Sequence, residues 1–232
     1  MPDPAHNHLL LLYDDTQSIY DNRRGINFTL SSVGIKAVGR TSILRINYRN
    51  SREILTTADQ FVQHFLTQTD SDDDSIPILA PQSSGNSTGI EPQFYYYDSQ
   101  TQELNGVLTH LQQWLDKGIS AQNIAILYTH NDFARALHKH IEAQNIPVQF
   151  LLSQKDKSTY NNSKSTITLC SIASSKGSEY SHVILTGIGQ CPDDSQRSQY
   201  VARLIYVGMT RATHRLILTA SQSNTFTHLL EE

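Results

Sequence analysis

Ile124-Ala125-Ile126-Leu127 is an unbroken apolar run in this chain, and Val183-Ile184-Leu185 is a second one. Short apolar runs of this kind are typical of central strands that are buried on both faces of a sheet. Around them, residue patterns predict further strands that alternate with helices along the chain. The predicted strands are 93–97, 123–128, 148–152, 166–172, 182–187 and 215–220, and the predicted helices between and after them are 101–117, 131–144 and 195–210. This alternation predicts an α/β fold, a mostly parallel sheet flanked by helices.

Local signals set the ends of two helices. Ser51 is a suitable N-cap for a helix over residues 51–66, in which apolar side chains recur at helical spacing. Gly118 follows the predicted helix 101–117 at the position where glycine commonly ends a helix. Residues 67–92 are rich in Asp, Ser, Asn and Gly in two stretches, and we interpret them as a linker.

Composition restricts the class of protein more than it identifies a function. The chain has 232 residues, 38% of them hydrophobic, and a formal net charge of −4. A negative chain does not bind nucleic acid through an overall basic surface, so any such contact is expected to be local. The two cysteines have no metal-site or disulfide-framework spacing, which favours the cytoplasm and predicts no metal site. The apolar run at 9–12 is too short to span a membrane.

Four short segments stand out because of their polar residues. They are DDTQSIY (14–20), LRINYRNS (44–51), ITLCSIASSKGSEY (167–180) and RLIYVGMTRA (203–212). Each has an ordinary structural interpretation by itself. Gln17 is a plausible turn residue, Arg49 a solvated charge before a helix, and Arg211 a charge favoured at a helix C-terminus.

Taken together and in this order, the segments resemble the motifs of the UvrD/Rep family of superfamily 1 DNA helicases. The family patterns are close to DDxQSIY, LxxNYRS, TxHxxKGLEF and YVAxTRA, and the match extends over residues 9–220. The resemblance implies a RecA-like fold of the P-loop NTPase type. It also implies an ATP-dependent DNA helicase or single-strand translocase that acts on single-stranded or duplex DNA.

The resemblance assigns roles to individual residues, since a charged arginine suits the γ-phosphate during transfer. Gln17, Arg49 and Arg211 match the catalytic contacts to the γ-phosphate. The other matches are Tyr48 for adenine stacking, Glu179 for the ribose, Gly177 for the nucleotide, and Tyr20, Arg23, Ser171 and Lys176 for DNA.

The phosphate-binding pattern GxxxxGKS/T does not occur in this sequence. We therefore expect ATP and Mg²⁺ to be held mainly by an N-terminal RecA-like domain of the same protein, and the isolated chain to be inactive. Residues 1–40 are predicted to be the tail of that first domain, a strand plus the QSIY motif. Residues 41–232 are predicted to be the second RecA-like domain, with the family's accessory insertion absent or reduced.

The sequence also departs from the family patterns. Asn22 stands where the family has a DNA-stacking tryptophan, Ala173 replaces the histidine of the third motif, and Ser178 replaces a leucine. These changes leave two alternatives open. One is a degenerate helicase-like module that binds DNA or protein without hydrolysing ATP, and the other is a helicase-like domain attached to a nuclease.

The site has an expected geometry. Ligands of open α/β sheets bind beyond the carboxyl ends of strands. We therefore expect Gln17, Tyr48, Arg49, Glu179 and Arg211 along that edge, facing an open cleft. We also expect arginines without carboxylate partners, and an exposed apolar flank at residues 9–12.

Overall fold

A six-stranded parallel sheet organises the part of the chain that the computed structural model describes. The described residues are 46–65, 82–83, 85–152, 156, 161, 165–195 and 197–231. The strands are β1 (Ile46–Asn47), β2 (Gln82–Ser83), β3 (Gln93–Tyr96), β4 (Ile124–Tyr128), β5 (Val148–Leu151), β6 (Ile167–Ser171), β7 (Tyr180–Thr186) and β8 (Ala212–Ala220). The α-helices are α1 (Arg52–Gln63), α2 (Gln100–Asp116), α3 (Asn131–Ala143), α4 (Ser198–Met209) and α5 (Thr225–Glu231).

The strand order places β7 and β4 at the centre of the sheet. The order is β3-β8-β7-β4-β6-β5, and every neighbouring pair is parallel. The two apolar runs of the sequence are therefore adjacent central strands, with Ala125 beside Val183 and Leu127 beside Leu185. The predicted α/β fold with a parallel sheet is confirmed.

Helices cover both faces of this sheet. All five residues of β4 are buried, and successive side chains point to opposite faces. Ala125 and Leu127 pack in a core with α1, α4 and α5. Ile124 and Ile126 pack in a second core with α2 and α3. The covered faces explain why the central strands are continuous apolar runs rather than alternating ones.

The predicted helix ends agree with the structure. The Ser51 side chain accepts a hydrogen bond from the amide of Ile54, so it caps α1 as predicted. Gly118 follows the end of α2 with a φ of +80°, a conformation that favours glycine. The predicted strand near residues 9–13 lies outside the described residues, and the predicted domain division stays a prediction.

One short strand lies within residues 67–92, which were predicted to be a linker. Strand β2, at Gln82–Ser83, pairs in parallel with β1 at Ile46–Asn47. This pairing is long-range, and a two-residue strand carries too little periodicity to be predicted from sequence.

Residues 86–89 also have a fixed place, against the start of α1. The amide of Arg52 donates to the carbonyl of Asn86 at 2.8 Å. The Glu53 carboxylate accepts from the Ser87 hydroxyl and from the amides of Thr88 and Gly89. These bonds, led by the one from Ser87, lower the pKa of Glu53 to about 2.

Candidate functional site

Three distant segments of the chain meet at the amino ends of β7 and β8. The amide of Tyr180, which begins β7, donates to the carbonyl of Arg211 at 2.9 Å. The amide of Ser51 donates to the carbonyl of Thr213 at 3.2 Å. The segments that contain Arg49, Glu179 and Arg211 are therefore joined by main-chain hydrogen bonds.

The side chain of Asn50 adds a second connection between two of these segments. Its Nδ2 donates to the carbonyl of Thr210 at 2.9 Å and to that of Ala212 at 2.7 Å. Its Oδ1 accepts from Nδ2 of Asn47 at 2.8 Å. In turn, Oδ1 of Asn47 accepts from the amides of Arg49 and Asn50. The loop that holds Tyr48 and Arg49 is thus tied to the main chain on both sides of Arg211.

Arg49 and Glu179 form an ion pair across two of the segments. Nε of Arg49 lies 2.7 Å from Oε2 of Glu179, and the two side chains remain 46% and 57% exposed. The expectation that the arginines lack carboxylate partners is therefore wrong for Arg49. The physical reason is that the chain path brings the Glu179 carboxylate next to the Arg49 guanidinium, and opposite charges at this distance attract.

Arg211 is buried rather than directed into an open cleft, which corrects the expected geometry. Only 1% of the residue is exposed. Its Nε donates to the carbonyl of Val207 at 3.0 Å and its Nη1 to the carbonyl of Ser178 at 3.2 Å. Carbonyls in the last turn of a helix lack amide donors, and an arginine just beyond the helix can supply them. A contact between Arg211 and a phosphate therefore requires the guanidinium to turn toward it.

The site lies at the opposite edge of the sheet from the one expected. Glu179 immediately precedes β7, and Arg211 immediately precedes β8, so both lie at amino ends of strands. The expectation of a carboxyl-end site assumed that Glu179 stays beside the end of β6. Instead, residues 172–179 cross from the carboxyl end of β6 to the amino end of β7, because parallel strands require such a crossover.

Two of the predicted DNA contacts lie at this crossover, Ser171 directly before it and Lys176 within it. Ser171 ends β6, and its side chain accepts from the amide of Ser174, which caps a short 3₁₀ helix at Ile172–Ser175. Lys176 and Gly177 follow, and both are exposed. Gly177 has a φ of +88° in open space, so its conformation and not crowding favours glycine. One connection therefore links Ser171 at one edge with Glu179 at the other.

Tyr48 is the most exposed large apolar side chain of this site, with 72% of it accessible. The main-chain carbonyl of Tyr48 accepts a hydrogen bond from Nδ2 of Asn86 at 3.2 Å. Asn86 therefore holds the main chain at Tyr48 in place. An exposed ring on a fixed main chain can stack against a planar ligand. The predicted contacts Gln17, Tyr20 and Arg23 lie outside the described residues, and their roles stay predictions.

Sequence reasoning missed Asn50 and Asn86 as parts of this site. Asn50 stands directly before an N-cap serine, where a polar residue has an ordinary local explanation. Asn86 lies in the stretch that was interpreted as linker. No periodicity or spacing indicates that either side chain holds a distant main chain.

Comparison with known proteins gives the family of this fold and site. A family model described as UvrD-like helicase C-terminal domain matches residues 43–155, and a second model of the same description matches residues 166–219. The parallel sheet with helices on both faces is a RecA-like α/β fold. The chain belongs to the family of UvrD-like helicase C-terminal domains.

Individual relatives agree with this family. The chain is 28% identical to the putative ATP-dependent DNA helicase YjcD of Bacillus subtilis, over 62% of this chain and 18% of the relative. It is 24% identical to the mitochondrial ATP-dependent DNA helicase HMI1 of Saccharomyces cerevisiae, over 64% of this chain and 21% of the relative. The chain thus spans about a fifth of the length of these relatives.

A solved structure shares the fold. It is the crystal structure of the C-terminal domain of a possible DNA helicase from Lactobacillus plantarum WCFS1. The TM-score is 0.53 at 16% identity, with 79% of this chain and 94% of that chain covered.

Among the described residues, no helix is both long and apolar enough to cross a membrane.

Proposed function

We propose that this chain supplies half of the ATP site of a DNA helicase or single-strand DNA translocase, and that it resides in the cytoplasm. ATP and Mg²⁺ are held mainly by an N-terminal RecA-like domain of the same protein. The observation that carries the proposal is the convergence of Arg49, Glu179 and Arg211 at the amino ends of β7 and β8. Residues 160 positions apart in sequence have no reason in local structure to meet there.

The proposed roles follow from the chemistry of each side chain. Arg49 and Arg211 stabilise the charge that spreads over the γ-phosphate oxygens. A guanidinium suits this role because it is always charged and presents several N–H donors in one plane to an anion. Gln17 places the attacking water. Tyr48 stacks on adenine through its exposed ring, and Glu179 accepts from the ribose hydroxyls.

DNA contacts are proposed at Tyr20, Arg23, Ser171 and Lys176, with Gly177 next to the nucleotide. The crossover 172–179 supports a mechanical link, because it runs from Ser171 to Glu179 without interruption. Movement of the nucleotide-facing end shifts the DNA-facing end of the same short segment. Single-stranded or duplex DNA is the proposed substrate.

A second function is favoured by a specific observation. Arg211 is buried, and Arg49 is paired with Glu179. Such contacts also suit a degenerate module that binds DNA or protein without hydrolysing ATP. The two functions differ in whether the arginines contribute to turnover.

The experiment measures DNA-stimulated ATP hydrolysis by protein that carries both motor domains. Arg49→Ala and Arg211→Ala are each expected to lower kcat by about 10³-fold or more, with a smaller change in KM, because their contacts form in the transition state. Arg135→Ala, which removes an exposed arginine paired with Asp132, is the control and keeps normal turnover.

Two outcomes would contradict the proposal. Near-normal kcat in both site variants would show that the roles assigned to the two arginines are wrong. Steady ATP hydrolysis by the isolated chain, abolished by Arg211→Ala, would show that the phosphate-holding domain is not needed.

A further inference from the structure

We propose that Asn50 is a positioning residue that sets the location of Arg49 relative to Arg211 in the ATP site. The inference rests on the proposed function of the two arginines. Asn50 touches neither guanidinium and acts through the main chain on both sides.

The side-chain amide of Asn50 uses both of its N–H donors at the contact, and its oxygen accepts one hydrogen bond. An asparagine side chain has two N–H donors and an oxygen acceptor. Here Nδ2 donates to the carbonyls of Thr210 and Ala212, and Oδ1 accepts from Asn47. Asn50 is only 1% exposed, so water cannot easily replace these bonds.

The two carbonyls flank Arg211, and the carbonyl between them is also used. The Arg211 carbonyl accepts from the amide of Tyr180, the residue after Glu179. Three successive carbonyls at 210–212 therefore hold the other two site segments. The position of each segment depends on the same short piece of main chain.

The side chain of Asn47 connects Asn50 with the main chain of Arg49 through hydrogen bonds. Oδ1 of Asn47 accepts from the Arg49 amide at 2.8 Å and from the Asn50 amide at 3.0 Å. The two asparagines therefore fix the main chain of Arg49 from both sides. Helix α1 has separate anchors, since Ser51 bonds to Thr213 and caps the helix with its own hydroxyl. Loss of the Asn50 amide thus displaces the arginine loop more than the helix behind it.

Asn224 offers a matched control at another place in the fold. Its Nδ2 also donates to two carbonyls, those of Ile188 at 2.9 Å and Cys191 at 3.1 Å. Its Oδ1 accepts from the amide of Thr227. Ile188 lies beyond the carboxyl end of β7, at the edge of the sheet opposite to the ATP site. Asn224→Ala removes the same bonds without touching that site.

The test compares Asn50→Ala, Asn50→Asp and Asn224→Ala in protein that carries both motor domains. The measurements are the thermal unfolding midpoint, and kcat and KM for ATP. We expect both alanine variants to lower the midpoint. Only the Asn50 variants should lower kcat, by about 10- to 100-fold, because a displacement near 1 Å has effects of that size. Asn50→Asp keeps the shape and loses both donors, so it should resemble Asn50→Ala in kcat.

The outcomes separate this inference from the proposed function. If Asn50→Ala keeps the kcat of Asn224→Ala while Arg49→Ala and Arg211→Ala lose turnover, the positioning role is wrong and the arginine roles stand. If the arginine variants also keep normal turnover, both proposals are wrong. Should Asn50→Ala not fold, Asn47→Ala tests the same connection from the loop side, and a normal kcat there overturns the proposal.

Discussion

Nε of Arg49 lies 2.7 Å from Oε2 of Glu179. The pair joins two segments of the candidate site that lie 130 positions apart in the sequence. Both residues have proposed contacts with ATP, to the γ-phosphate and the ribose. Each provides the counter-charge of the other, so the proposed function requires ATP to separate the pair or share it.

The Arg49–Glu179 pair is expected to contribute little to stability. Both side chains are about half exposed, and exposed pairs typically contribute about 0.2–1 kcal/mol. A double-mutant cycle with Arg49→Ala and Glu179→Ala, measured by chemical unfolding, should give a coupling energy in that range that decreases with added salt. A coupling energy well above about 1 kcal/mol at high salt would show that the pair resists separation by a nucleotide.

Arg211 is expected to support the fold as well as the proposed chemistry. Its guanidinium is buried and bonded to the carbonyls of Val207 and Ser178. Arg211→Ala should lower the free energy of unfolding by about 2–4 kcal/mol, because both buried carbonyls lose a hydrogen bond from a charged donor. Arg135→Ala, at an exposed site, should change it by less than about 0.5 kcal/mol. Equal stability of the two variants would contradict the structural role.

Glu103 on α2 holds together the carboxyl ends of β7 and β8, the two strands that begin at the candidate site. The residue is fully buried. Its Oε1 accepts from the hydroxyls of Thr186 and Thr219 and from the amide of Gly187. Its Oε2 accepts from the hydroxyl of Ser221 at 2.6 Å. Four donors from β7, β8 and their following loops thus depend on one carboxyl group.

Glu103→Ala is expected to destabilise the fold by at least about 3 kcal/mol, since it leaves several buried donors without their acceptor. Glu103→Gln keeps one carbonyl oxygen and should lose less. Gln113→Ala removes an exposed side chain from the same helix and is the control for helix propensity. Unfolding in denaturant checks the order, and a Glu103→Ala variant as stable as Gln113→Ala would contradict it.

His182 is expected to make stability fall in mild acid. Its ring packs edge-on against Trp114 with the centroids 4.9 Å apart. Burial, and to a smaller extent His214 and Arg215, lower the pKa of His182 from 6.5 to about 4. Between these values the unfolded chain binds the proton more tightly than the folded chain. The part of the folding stability that depends on neutral His182 is therefore fully present above pH 6.5 and is lost as the pH falls toward 4.

The pH dependence is measured as the free energy of unfolding between pH 7.5 and pH 4, roughly the span in which His182 changes the balance. His182→Gln should remove part of the decrease that the wild type shows. His228→Gln, which changes an exposed imidazole, should leave the decrease unchanged. Proton resonances of the His182 ring give the pKa directly, and a value near 6.5 would contradict the expectation.

The sequence by itself determined the class of fold and the order along the chain of the six strands of the main sheet and of helices α1 to α4. The run Ile124-Ala125-Ile126-Leu127 predicted a strand covered on both faces, and the structure buries it between two helical layers. Ser51 and Gly118 marked helix ends correctly. These features are local, because periodicity and capping depend on residues a few positions apart. The four motifs indicated the family through their residues and through their order along the chain.

Only the tertiary structure decided how the site is assembled. The edge of the sheet on which Glu179 and Arg211 lie depends on the path of the crossovers, and the sequence suggested the opposite edge. The burial of Arg211 and the contact of Asn50 with Thr210 depend on main-chain carbonyls far away in sequence. Every residue has such a carbonyl whatever its side chain, so no residue type marks which one a buried amide will bond.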